Sequence, residues 1–107
     1  SGTVTTLGAL HKGLLRYDRA KVDGMWLDAA DADRLVLELI EMGPAGRRAH
    51  PGVGPDRSQL VIAGGAILQT ILRCWPVPRI RVADRGLREG LLYSLMWAER
   101  AGRAAAT

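Results

Sequence analysis

Leu7, Leu10 and Leu14 recur at spacings of three and four, so residues 4–16 predict a helix with one apolar face and Thr3 as its cap. Entered through Ser1-Gly2-Thr3, this helix reads as the second half of a strand-turn-helix unit whose strand would precede it. Residues 22–27 read as a short extended stretch. The next helix is expected to be capped by Asp28, favoured by the Asp31 charge in its first turn and stapled by Leu27. Its buried face would be Leu35, Val36, Leu39 and Ile40, with Asp33, Arg34, Glu38 and Glu41 in water, and Gly43-Pro44 would end it. Residues 43–56 hold four glycines and three prolines, the composition of a mobile loop with a short helical turn.

The second half carries two further strand-turn-helix patterns. Leu60-Val61-Ile62-Ala63 is a continuous apolar run, expected to be a strand covered on both faces. It runs into Gly64-Gly65 and then a helix burying Ile67, Leu68, Ile71 and Leu72, which Trp75-Pro76-Val77-Pro78 breaks. Residues 79–83 alternate polar and apolar, as a strand with one wetter face does. Asp84-Arg85-Gly86 turns into a last helix with Leu87, Leu91, Leu92, Leu95 and Met96 as its core stripe, and residues 98–107 read as a flexible tail. Two successive units of this kind predict a right-handed parallel crossover, hence an α/β fold of short parallel strands flanked by helices.

Composition narrows the class. A chain of 107 residues with 48% hydrophobic residues supports one small domain, here residues 1–97. No apolar run approaches the roughly 20 residues of a membrane span, and no signal-peptide pattern is present, so a soluble cytoplasmic protein without membrane contact is expected. Cys74 is the only cysteine, excluding an internal disulfide, and reads as a small buried hydrophobe. A net charge of +4 favours an anionic partner: polyphosphate, a nucleotide or nucleic acid. The arginines are dispersed and no aromatic-rich basic motif accompanies them, so nucleic acid is not expected. Asp28, Asp31 and Asp33 lie where first-turn carboxylates belong, and His11 and His50 lack partners at ligand spacing, so no metal site is read.

Three stretches in this order resemble the exopolyphosphatase/guanosine pentaphosphate phosphohydrolase (Ppx/GppA) family of the actin, Hsp70 and sugar-kinase superfamily. They are Ser1-Gly2-Thr3-Val4-Thr5-Thr6-Leu7, Asp56-Arg57 with residues 60–68, and Asp84-Arg85-Gly86-Leu87-Arg88-Glu89-Gly90. The resemblance implies the latter part of the second of two ribonuclease-H-like domains that flank an active site. It also implies a parent hydrolase that releases terminal phosphate from polyphosphate or guanosine pentaphosphate, with Mg²⁺ held by residues outside this segment. The family's catalytic base would lie upstream, so no catalytic residue is carried over and the segment alone is expected to be inactive. Alternatives are a non-catalytic interaction module and a kinase-like phosphotransferase of the same superfamily. Apolar surface left by the absent domain would favour a homo-oligomer.

Six residues are the expected substrate contacts. Ser1, Gly2 and Thr3 would present helix-start amides to phosphate, and Gly64 and Gly65 would do the same after the buried strand. The competing readings are a simple cap at Thr3 and a tight turn at the glycine pair. Arg57 would offer its guanidinium fork to a phosphate, against the alternative of a surface arginine beside Asp56. Arg88 and Glu89 read as a brace for the last helix rather than as chemistry.

Overall fold

Glycine and a few buried aliphatic residues decide the path of the chain. In the computed structural model, residues 2–106 are described, and Ser1 lies outside them. Helix α1 (Gly2–His11) stops well short of residue 16. Gly13 takes a left-handed φ of 68°, and the Leu14 N–H reaches back to the Ala9 carbonyl at 3.0 Å, closing the helix end. A single turn, α2 (Arg19–Val22), follows; the Asp18 carboxylate accepts the Ala20 N–H at 3.0 Å as its cap. Sequence periodicity gave no sign of α2, which is too short to show any.

Strand β1 (Trp26–Asp28) leads into α3 (Ala29–Ala49). Asp28 holds the cap position but makes no side-chain cap hydrogen bond; the Pro78 carbonyl takes the Ala29 N–H at 3.0 Å instead. The apolar face of α3 is buried at Ala32, Leu35, Val36 and Leu39, whereas Ile40 is half exposed. At Gly43 the backbone turns sharply (φ 72°, ψ 171°), a conformation open essentially to glycine alone, and Pro44 starts a second helical segment to Ala49. Arg47 secures the bend: Nη1 donates to the Leu39 carbonyl at 2.8 Å and Nε to the Ser58 carbonyl at 3.0 Å. Residues 43–49, expected as loop, are thus largely helical.

The main correction concerns Leu60-Val61-Ile62-Ala63. These residues are not a strand but the first turn of α4 (Leu60–Cys74), and Gly64 and Gly65 lie inside that helix. A four-residue apolar run has no periodicity that separates strand from buried helix. With that strand gone, no parallel crossover forms among the described residues. The only sheet among the described residues pairs β1 with β2 (Arg79–Arg81) antiparallel, in the register Trp26 to Arg81, Leu27 to Ile80 and Asp28 to Arg79. Leu27 and Ile80 turn inward, while Trp26 turns outward with the Arg79 guanidinium 4.3 Å from its ring centroid. The fold is therefore mixed, dominated by helices with one small ribbon.

One core joins these elements: Leu7 of α1, Val22 of α2, Leu27 of β1, Val36 and Leu39 of α3, Val61 of α4 and Val82 after β2. Helices α1, α3 and α4 pack on one another, and the ribbon lies on α3. Helix α5 (Leu87–Ala106) leaves this body, running through the residues expected as a tail. Its anticipated core stripe is exposed, from 91% at Leu87 to 45% at Met96, because no helix or strand of the described residues packs broadly along it. Ile67 and Ile71 of α4 are also exposed, as is Cys74, so the expectation of a buried thiol fails. The radius of gyration, 17.2 Å, exceeds the ~13 Å of a compact chain of this length for this reason.

Candidate functional site

Helix α1 and the turn before α4 meet at a cleft of about 240 Å³ lined by Gly2, Thr3, Thr6, Arg57, Leu60 and Val61. Gly2 and Thr3 occupy the first turn of a ten-residue helix, where backbone N–H groups have no intrahelical acceptor and the dipole is positive. Thr6 follows one turn later on the same side. Its hydroxyl bonds the Gly2 carbonyl at 2.8 Å and receives Arg57 Nη1 at 3.2 Å. A cation from residue 57 is thereby tied to the positive end of α1, which gives the cleft an anion-seeking wall.

Of the six residues expected to contact substrate, Gly2, Thr3 and Arg57 line this one cleft, while Ser1 lies outside the described residues. Gly64 and Gly65 are placed differently. They are the fifth and sixth residues of α4, past its first turn, so the helix-start amides expected of them are not available. Their bare Cα atoms serve contact between helices. A Cβ on Gly64 would fall 2.9 Å from Thr3 Cβ, and one on Gly65 would fall 3.1 Å from the Val36 methyls. Thr6, Leu60 and Val61 were missed as lining residues. The spacing of four puts Thr6 on the helical face of Gly2, but nothing local in the sequence joins it to Arg57.

A polar clasp ties the root of α5 to the body. Tyr17 donates its hydroxyl to Asp84, and Asp23 accepts the Asp84 N–H at 2.9 Å and pairs with Arg85 at 3.5 Å. Arg19 lies 3.5 Å from Glu89, whose carboxylate also accepts the Gly86 N–H at 2.9 Å. Glu89 thus braces α5 through Arg19 and Gly86, and Arg88 lies 3.8 Å from the same carboxylate with its side chain almost fully exposed. These backbone N–H groups hold Asp23 and Glu89 below the usual carboxylate range. Tyr17 is pushed up to about 12 by desolvation of its phenol and then by the Asp84 carboxylate.

The Tyr17 shift has a defined sign. An unfolded phenol ionises near pH 10 while the folded one keeps its proton to about 12, so the contribution is full below pH 10 and declines above it. Urea melts at pH 9 and pH 11.5 should show this loss in the wild type and a smaller one in Tyr17→Phe. Equal losses in both proteins would remove Tyr17 as the cause.

Among the described residues, no group of three or more His, Cys, Asp or Glu is placed to hold a metal ion. No helix of the described residues is long and apolar enough to cross a membrane.

The sequence model of the Ppx/GppA phosphatase family matches residues 1–99. The chain belongs to that family. Solved structures agree with the assignment. A crystal structure of the Aquifex aeolicus member of the Ppx/GppA protein family is 31% identical with a TM-score of 0.85, over 92% of this chain and 33% of that one. The type II variant of the Aquifex aeolicus Ppx/GppA phosphatase is 32% identical with a TM-score of 0.81, over 88% of this chain and 32% of that one. An exopolyphosphatase-like protein is 29% identical with a TM-score of 0.81, over 94% of this chain and 34% of that one. This Ppx/GppA chain thus spans about a third of the length of those relatives and shares their fold over nearly all of itself.

Proposed function

We propose that this chain forms one wall of the phosphate-binding cleft of a phosphohydrolase that releases terminal phosphate from polyphosphate or guanosine pentaphosphate by attack of water. The observation that carries the reading is the convergence of the α1 start and Arg57 on one cleft. Phosphoryl transfer depends chiefly on positioning and on neutralising charge, and both are what this wall offers. Arg57 would engage phosphate oxygens with its fork, and the Gly2 and Thr3 amide N–H groups would donate to another oxygen from the helix side. Gly64 acts indirectly, by letting α4 come close enough to α1 to fix the width of the cleft, and Gly65 does so by seating α4 against Val36 of α3. No residue of this chain is assigned a proton-transfer role, and the segment alone is proposed to be inactive. Mg²⁺ belongs to the same proposal as a cofactor of the complete protein, with ligands outside this chain, as does a cytoplasmic setting.

In the complete protein, Arg57→Ala is expected to raise KM for polyphosphate roughly tenfold or more, the scale of one lost charge-assisted hydrogen bond. Phosphate release at varied substrate concentration measures it; unchanged KM and kcat would strike Arg57 from the site. One observation favours a second reading, an interaction module that buries apolar surface against another copy: the exposed face of α5. Size-exclusion chromatography over a range of concentrations decides it, since a monomer throughout ends that reading.

A further inference from the structure

We infer that Thr6 is a positioning residue for Arg57, its hydroxyl fixing the guanidinium on the cleft wall; this rests on the reading of the cleft as a phosphate site. Arg57 belongs to an exposed turn, and a free arginine side chain samples many rotamers. Something must hold it for its fork to face the cleft. Thr6 is 1% exposed and sits between two partners that use its hydroxyl in opposite senses. The Gly2 carbonyl, at 2.8 Å, can only accept, so it takes the hydroxyl proton; Arg57 Nη1, at 3.2 Å, can only donate, so it meets an oxygen lone pair. The order Arg57 to Thr6 to Gly2 is therefore directional. A hydroxyl already bonded to a carbonyl is a better acceptor for the guanidinium than a free one. One N–H of the fork is committed to α1, and the other donors of the planar group take their orientation from it. The Thr6 side chain also stands one turn from Gly2 and Thr3, so the cation it holds shares a cleft with their amides.

The test is titration of the 107-residue chain with inorganic tripolyphosphate by calorimetry, beside thermal melts of each variant. Arg57→Ala should weaken binding about tenfold or more. Thr6→Val, nearly isosteric but without the hydroxyl, should weaken it about fivefold, and the double variant should bind no worse than Arg57→Ala alone. Thr6→Ser, which keeps the hydroxyl, should stay within about twofold of wild type. Folded Thr6→Val with wild-type affinity, additive losses in the double variant, or Thr6→Ser as weak as Thr6→Val would each overturn the positioning role while leaving the cleft intact. Arg57→Ala with wild-type affinity would sink the phosphate reading itself. Should Thr6→Val fail to fold, the side-chain ¹⁵N signals of Arg57 decide: slowed rotation of the guanidinium in wild type and Thr6→Ser supports the inference, and free rotation in wild type ends it.

Discussion

Gly64→Val is expected to destabilise the chain by about 3 kcal/mol and to lower its thermal midpoint by roughly 15 °C. The reason lies in the crossing of α1 and α4. A Cβ at Gly64 would collide with Thr3 Oγ1 and stand 2.9 Å from Thr3 Cβ. Rotation of the Thr3 side chain can move the oxygen, but Cβ is fixed to the backbone, so the helices must separate. Gly64→Ala gives the sharper comparison. An alanine inside a helix normally gains about 1 kcal/mol over glycine, and here it should lose stability instead. Circular dichroism melts of both variants measure this, and a raised midpoint for Gly64→Ala would show that the crossing tolerates a methyl group. The same separation would widen the cleft, so tripolyphosphate affinity should fall with stability.

Leu7→Ala is expected to cost about 3–4 kcal/mol, within the range for aliphatic truncation at a fully buried site. Leu7 is 0% exposed and sits on the helix that meets α2, α3 and α4, so no single neighbour can move in to fill the void. Urea denaturation would report it as a lower midpoint with little change in slope. A loss under 1 kcal/mol would mean that the core around α1 relaxes easily. Truncation of Leu91 to alanine gives the contrast, because that side chain is 61% exposed and has no core contact to lose.

Part of this architecture was legible in the sequence, and the parts that were not share a cause. Helix α3 announced itself because Leu35, Val36 and Leu39 repeat over enough turns for the period to show, and Gly43 marked its bend. The run 60–63 was too short to carry a period, and the glycine pair after it resembles a strand-ending turn as closely as it resembles a helix contact. The distinction depends on Thr3, some sixty positions away, and no local pattern contains it. Helix α5 shows the opposite failure. Its apolar stripe predicts a buried face, but burial is a property of what lies opposite, and no helix or strand of the described residues covers it. At the cleft, Gly2, Thr3 and Arg57 were legible from residue chemistry and family resemblance. Thr6 was not, because a threonine within a helix usually bonds the carbonyl four residues back without any further role. Only the fold brings Arg57 to it.

The corner at Gly43 decides more than the end of a helix. A mirror-side backbone is cheap for glycine and costly for every residue with a side chain, so Gly43 chooses the direction in which the chain sets out from Pro44 toward Arg57. Continued straight, that stretch would keep the original axis, and the turns at residues 51–59 would start from a different place. The location of a positive charge at the cleft thus descends from the absence of a methyl group at a distant bend.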